Sequence, residues 1–339
     1  MKASFKKHVF FFKRPSGTSR GVLTEKYSWF IELVDEVDPS IKGIGECSVI
    51  PGLSPDFVDF ESYEKMLFKV CSNVDEYLSK LDLLNKYPSI LFGLETAFLD
   101  LKNGGKKLIF ENDFSKGKKR IPINGLIWMG DSAYLLDQID QKLEEGYSCL
   151  KMKIGAIDFQ TEINVIESIR KRYTVDQISL RVDANGAFSP NEALSMLNEL
   201  SNYEIHSIEQ PIEVKQWEVM KDLCLSTKVP IALDEELIGI TQLEQKKELL
   251  QTILPQYIIL KPSLHGGIKG CKEWIQLSES MNIPWWMTSA LESNVGLNAV
   301  AQFAGEFDND LLQGLGTGSL YTNNIESNLR VEGGEIFCI

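Results

Sequence analysis

Over the first 50 residues apolar and polar positions alternate. β-Branched and aromatic residues fill the runs HVFFF and YSWFIELV, a turn-like RPSGTSRG separates them, and a GIGE stretch follows. A period of two predicts an antiparallel meander. From Phe60 to about Gly105 the apolar positions recur at three and four instead. Pro88 suits the first turn of a helix ILFGLETAFLDL, and Asn103 with Gly104 supply its stop. An α+β unit over residues 1–105 is therefore expected first, followed by a polar, glycine-containing connector over 106–120.

Beyond Arg120 the pattern repeats a short β-like run, a loop and an amphipathic helix. The runs are IPINGLI, CLKMKIG, ISLRVDAN, IHSIEQP, PIALDEE, YIILKPS, IPWWMTSA and LLQGLG. Helical segments between them carry explicit caps, as in Ser189-Pro190-Asn191-Glu192, a capping box with proline at the first helical position. Alternating β and α with apolar strands leaves an open doubly wound sheet or a closed barrel. Eight units favour the barrel, and no GxGxxG or GxxxxGK[ST] stretch follows the early strands to support nucleotide binding.

Composition narrows the function classes. Of 339 residues 43% are hydrophobic and 24% charged, which supports a buried core and excludes wholesale disorder. The formal charge of −13 argues against broad attraction to nucleic acid or to an anionic membrane surface. The one dense basic run, Lys116 to Arg120, reads as a solvated linker. Six scattered cysteines without a CxxC pair point to reduced thiols in a cytoplasmic protein. No apolar run approaches the ~18 residues of a membrane span, and no signal core opens the chain. His8, His206 and His265 lie far apart, so a metal, if bound, must be held by oxygen.

Chemistry enters through the phase of the charged residues. Lys151 and Lys153 lie on the second run, Asp183 ends the third, Glu209 the fourth, Asp234 the fifth and Lys261 the sixth. From Lys153 onward the gaps are 30, 26, 25 and 27 residues, about one βα unit each. In a barrel all C-terminal strand ends face one mouth, so these groups should converge. Three carboxylates in a small volume do not stay ionised together without a cation. Hard oxygen ligands with open positions suit Mg²⁺. An acidic strand end taken alone reads as a helix cap; the phased trio does not. Lys151 and Lys153, two apart on a strand, share a face. On an interior face, like charge and desolvation would lower the ammonium pKa and make a lysine usable as a base. Spacing alone leaves inward and outward open. Lys261, at a strand end across the mouth, decides for inward and for proton abstraction beside a carboxylate.

The series KMKIG, VDANG, IEQP, ALDEE, LKPSLHGG and TSALESNVG resembles the enolase superfamily in its muconate-lactonizing subgroup, and within it the o-succinylbenzoate synthase family of menaquinone biosynthesis. GIGECSVIPGLSPD resembles that family's GxGE stretch and pocket loop. The resemblance implies a (β/α)7β-type TIM barrel over 121–319 and an N-terminal α+β capping domain joined by the tail from about 320 to 339. It implies a cytoplasmic lyase that dehydrates a succinyl-hydroxycyclohexadiene carboxylate, a small anionic substrate. Lys153 would be base and acid, Lys151 would hold a carboxylate, and Lys261 would stabilise the enolate from the opposite ring face. Asp183, Glu209 and Asp234 would bind Mg²⁺, for which Mn²⁺ can substitute, with Asn185 and Glu235 orienting them. Ser289 and Gly314 would meet the succinyl tail, and loops near Arg20 and from Pro51 and Gly52 to Ser54 would close over it. Glu292 reads equally as a structural carboxylate or a pocket group, and His265 as a loop residue.

Two other readings compete. An N-acylamino acid racemase or dipeptide epimerase uses the same opposed lysines, but such epimerases carry an Asp-x-Asp at the eighth strand where this chain has QGLGTGS. A barrel that binds metal without catalysis is the second.

Overall fold

The computed structural model describes residues 1–18, 21–128, 130–155 and 157–339. Arg20, expected near the pocket, lies outside them. The alternating N-terminal runs form β1 (Lys2–Thr18), β2 (Gly21–Val34) and β3 (Lys42–Ser48), an antiparallel sheet in that order. Trp29, Ile31, Leu33 and Cys47 bury one face of it against α1 (Phe60–Ser72), the short α2 (Val74–Ser79) and α3 (Pro88–Lys102). As expected, Pro88 occupies the first turn of α3 and Asn103 its C-cap. Contact between β3 and α3 is backbone to backbone. A Cβ on Gly45 would lie 1.9 Å from the Gly93 carbonyl oxygen, and one on Gly43 2.0 Å from that of Ala97. The glycines of the GIGE stretch thus permit a close approach that no other residue allows.

The second half opens with β4 (Ile121–Pro122), followed by seven parallel strands: β5 (Gly125–Ile127), β6 (Cys149–Lys153), β7 (Ser179–Asp183), β8 (Ser207–Glu209), β9 (Ile231–Leu233), β10 (Tyr257–Leu260) and β11 (Trp285–Met287). Helices alternate with them: α4 (Ser132–Glu144), α5 (Phe159–Arg172), α6 (Pro190–Leu200), α7 (Trp217–Ser226), α8 (Leu243–Ile253), α9 (Gly267–Ser280) and α10 (Asn294–Ala304). The eighth run closes the curled sheet through two bridges, Thr288 to Gly314 and Ile123 to Gln313. Gly314 N–H donates to Met287 O at 2.7 Å, and Asn124 N–H to Gln313 O at 3.0 Å. The fold is the expected (β/α)7β barrel.

Each barrel strand is buried on both faces. Leu150, Met152, Val182, Ile208, Leu233 and Leu260 point outward into the helix layer. The opposite parity carries Lys151, Lys153, Arg181 and Asp183 inside, which settles the choice that spacing left open. Below the charged layer, Arg181 stacks 4.0 Å over Trp286 and donates to Leu312 O, so the barrel floor is filled. The connector over 106–120 is anchored rather than loose, with Ile109 and Phe114 in the barrel core. Of the tail, Tyr321 bridges to Phe12 of β1, whereas β12 (Leu329–Glu332) pairs with β13 (Glu335–Cys338) and β13 in turn with β4. All six cysteines are free. Among the described residues no helix is long and apolar enough to cross a membrane.

Two carboxylates from the first half lock onto helices of the second. Glu95 of α3 accepts Ile268 N–H at 2.6 Å and Lys269 N–H at 3.0 Å at the start of α9. Glu46 of β3 accepts Ser293 N–H at 3.0 Å and Gly296 N–H at 2.9 Å at the start of α10. Both satisfy orphan helix donors and oppose the positive end of the dipole.

Burial pushes the Glu95 carboxyl from its ordinary 4.5 up to about 7, although the α9 N–H groups pull the other way. Between those values the unfolded chain ionises while the folded chain keeps its proton, so stability falls as pH rises. Below about 4.5 and above about 7 this residue contributes no slope. Urea unfolding of wild type and Glu95→Gln from pH 4 to 8 is expected to show their stability difference drifting by up to about 3 kcal/mol across that window and remaining flat outside it.

Candidate active site

Parallel register puts the charged strand ends side by side. Lys153 pairs with Asp183 across β6 and β7, and Asp183 with Glu209 across β7 and β8. Asp234 follows β9 and Lys261 follows β10. The expected constellation therefore meets at one mouth, with Asp183, Glu209, Asp234, Lys151 and Lys261 all buried. Lys151 Nζ lies 3.0 Å from Asp183 Oδ2 and also pairs with Glu209 Oε2. Lys153 Nζ donates to Asp183 Oδ2 at 3.2 Å and to Asn185 Oδ1 at 2.5 Å. Lys261 Nζ pairs with Asp234 Oδ2 and sits 3.6 Å from Glu209 Oε1.

Asn185 and Glu235 complete the ring. Asn185 takes φ +45°, a left-handed conformation that asparagine tolerates, and donates from Nδ2 to Glu235 Oε1 at 2.8 Å. One oxygen each of Glu209, Asp234 and Glu235 falls within a mutual 4.8 Å. Asp183 stands beside this group with Oδ2 engaged by two lysines.

Four carboxylates face three ammonium groups, and the balance of burial against charge differs by residue. Burial raises the Asp183 carboxyl, but Lys151, Lys153 and Lys261 outweigh it and hold the group well below the usual range. Burial also raises Asp234; Glu235 and Glu209 add to it, and Lys261 does not compensate, so Asp234 lies well above. For Lys151 and Lys261 desolvation is overcome by neighbouring carboxylates, and both ammonium groups are raised. At Lys151 burial and Lys261 act to lower the ammonium group, and Asp183 with Glu209 outweigh both. The oxygen cluster suits a hard dication. Glu209 Oε1 and Asp234 Oδ1 are buried without a hydrogen-bond partner, and carboxylates are the donors such a cation prefers.

Over the charged floor lies a cavity of about 140 Å³. Leu23 of β2 and Ile50, Pro51 and Leu53 of the loop after β3 cover it. Gly52 forms the bend between Pro51 and Leu53 at φ +78°. The loop is fastened by Ile50 N–H to Ser54 Oγ at 2.9 Å and by Asp56, which accepts Ser89 N–H at 3.0 Å. Leu126, Trp128, Thr288, Ser289, Gly314 and Thr317 line the far wall. Gly314 contributes the absence of a side chain, since a Cβ there would lie 2.4 Å from Thr288 Oγ1.

Ser289 reaches the cavity, but its hydroxyl proton goes to Glu292 Oε2 at 2.6 Å, while Thr317 Oγ1 donates to it at 2.8 Å. Glu292, fully buried, also accepts from Ser263 Oγ at 2.5 Å, so it is the structural carboxylate of the two readings. His265 accepts Lys261 N–H on Nδ1 at 2.9 Å and braces the turn after β10. Glu46, Glu95 and Asn124 were not singled out from the chain. A lone glutamate inside the apolar ILFGLETAF helix was the available signal for Glu95.

Residues 134–337 match the family of enolase C-terminal domain-like proteins. The chain is 46% identical to o-succinylbenzoate synthase of Desulfotalea psychrophila over 98% of either chain. Against L-Ala-D/L-Glu epimerase of Bacillus subtilis it is 31% identical over 48% of its own length. Among solved structures, MenC from Desulfotalea psychrophila superposes with a TM-score of 0.85 at 42% identity over 99% of both chains. A dipeptide epimerase from Enterococcus faecalis superposes at 0.87 with 18% identity, over 100% of this chain and 96% of its own, and so shares the fold.

Removing the acceptor that organises the far wall strands two buried hydroxyl groups. Glu292→Leu is expected to lower stability by about 1–3 kcal/mol in chemical denaturation, and Ser263→Ala by less, because it leaves Ser289 still partnered.

Proposed function

The chain belongs to the enolase superfamily, and from that premise we propose that it forms o-succinylbenzoate by removing water from a succinyl-hydroxycyclohexadiene carboxylate. The observation that carries the reading is the pair Lys153 and Lys261, at the ends of β6 and β10 across one mouth, with carboxylates at the strand ends between. Near-complete alignment at 46% identity supports this product over the alternatives. In this reading residues 1–105 cap the pocket and the barrel over 121–319 does the chemistry.

Lys153 takes the proton from the ring carbon bearing the carboxylate. All three lysines line the cavity, and Lys153 is the most exposed of them, 13% against 11% for Lys261 and 9% for Lys151. Asp183 and Asn185 hold its Nζ and fix its direction. Lys261 offers positive charge to the opposite face of the ring as the enolate forms. Lys151 holds the substrate carboxylate and sits between Asp183 and Glu209. The conjugate acid of Lys153 then returns its proton, on the same face, to the departing hydroxyl. The C–O bond breaks, water leaves, and the ring becomes aromatic.

Asp183, Glu209 and Asp234 are the residues that would hold Mg²⁺, or Mn²⁺ in its place, with Asn185 and Glu235 steadying them. Such an ion supplies positive charge against the substrate carboxylate and the charge that develops on it. Glu292 being tied to two serines, no free carboxylate among the described residues faces the far wall, which disfavours a substrate with an ammonium tail.

The test is turnover of the cyclohexadiene substrate, followed by loss of diene absorbance with Mg²⁺ present, beside a panel of dipeptides and N-acyl amino acids. Wild type should consume the diene. Lys153→Ala should lose about 10²- to 10⁴-fold in kcat while keeping its Mg²⁺ affinity. Brisk racemisation of N-acyl amino acids with the diene untouched would overturn the reading.

A further inference from the structure

The far wall of the cavity has to recognise the substrate's tail, and two of its three hydroxyl groups, those of Ser289 and Thr317, are poorly placed to do so. Ser289 spends its proton on Glu292 and also receives hydrogen bonds from Thr317 Oγ1 at 2.8 Å and Glu292 N–H at 3.3 Å. Thr317 spends its own proton on Ser289. A carboxylate or ketone accepts hydrogen bonds and donates none, so neither hydroxyl has a proton left for it.

Asn124 differs. It lies between β4 and β5, with only 5% of its surface exposed, and lines the cavity. Its backbone is committed to barrel closure, N–H donating to Gln313 O at 3.0 Å. Its side chain makes no hydrogen bond among the described residues, and Oδ1 is buried without a partner. Buried amides are almost always paired, and an unpaired one on a pocket wall points to a partner that arrives with the ligand. Gly316 lines the same cavity. Position along the barrel agrees. With the substrate carboxylate among the groups of β6 to β10, the tail extends toward β5, β11 and the closing run, the wall that holds Asn124.

We propose that Asn124 is a specificity-determining residue, whose side-chain amide hydrogen-bonds the oxygen acceptors of the substrate's succinyl tail. The assignment rests on the reading of the site given above. A carboxamide donates from Nδ2 without adding charge, and Nδ2, which makes no hydrogen bond and is not enclosed as Oδ1 is, is the donor left to meet the tail. An aspartate at this position would instead confront an anionic tail.

Two ligands separate tail recognition from general damage: o-succinylbenzoate and benzoate, which lacks the tail. Each is titrated into wild type, Asn124→Leu and Asn124→Asp in the presence of Mg²⁺, and the diene kinetics of each protein are recorded. Asn124→Leu should weaken o-succinylbenzoate by roughly tenfold, Asn124→Asp by more, and both should bind benzoate within about twofold of wild type. KM for the diene should rise in the same order, with kcat changed less than about threefold. Equal weakening of both ligands, or weakening of neither, would overturn the assignment while leaving the proposed reaction standing. A wild type that does not consume the diene would overturn both.

Discussion

Burying six charged side chains and half-burying a seventh at the mouth of a barrel is the constraint on which this molecule depends. Each of Lys151, Lys153, Lys261, Asp183, Glu209, Asp234 and Glu235 would be costly alone in a low-dielectric interior. Interleaving them on adjacent parallel strands brings every ammonium group within reach of a carboxylate. Three positive charges against four negative leave the acids in excess, and the excess concentrates where Glu209 and Asp234 keep oxygens without a hydrogen bond. An interior built this way favours a dication and an anionic ligand together, because each offsets what the other would cost.

The N-terminal half serves the same site from above. Gly43 and Gly45 let β3 rest on the backbone of α3, and Glu46, the next residue, reaches across to the start of α10. Glu95 does the same for α9. These helices follow β10 and β11, the strands that end in Lys261 and in the turn bearing Ser289. The cap is thereby registered to the wall it closes, and Ile50, Pro51 and Leu53 fall over the cavity because β3 is held there.

Much of this was legible in the chain. Charges repeating about every 27 residues at strand ends carry their own geometric meaning, because parallel strands in a barrel end on one rim. The parity of KMK was not legible alone, since Met152 and its neighbours could equally have faced in; Lys261 supplied the missing constraint. The direction of the Lys151 shift is not legible in the chain, because it is a difference of opposing effects that the distances to Asp183 and Glu209 decide. Ser289 sits on the expected wall, yet where its proton points depends on Glu292 and Thr317, which no pattern reveals. Glu46 and Glu95 act on helices 247 and 173 residues away, beyond any local period.

The most direct test of the central claim is calorimetric titration of Mg²⁺ into the wild-type protein and into Asp234→Asn and Glu209→Gln, with circular dichroism to show that each remains folded. Saturable binding of one ion to wild type, lost or weakened at least tenfold in both variants, is the predicted result. Undiminished binding in the variants, or none in wild type, would contradict the account.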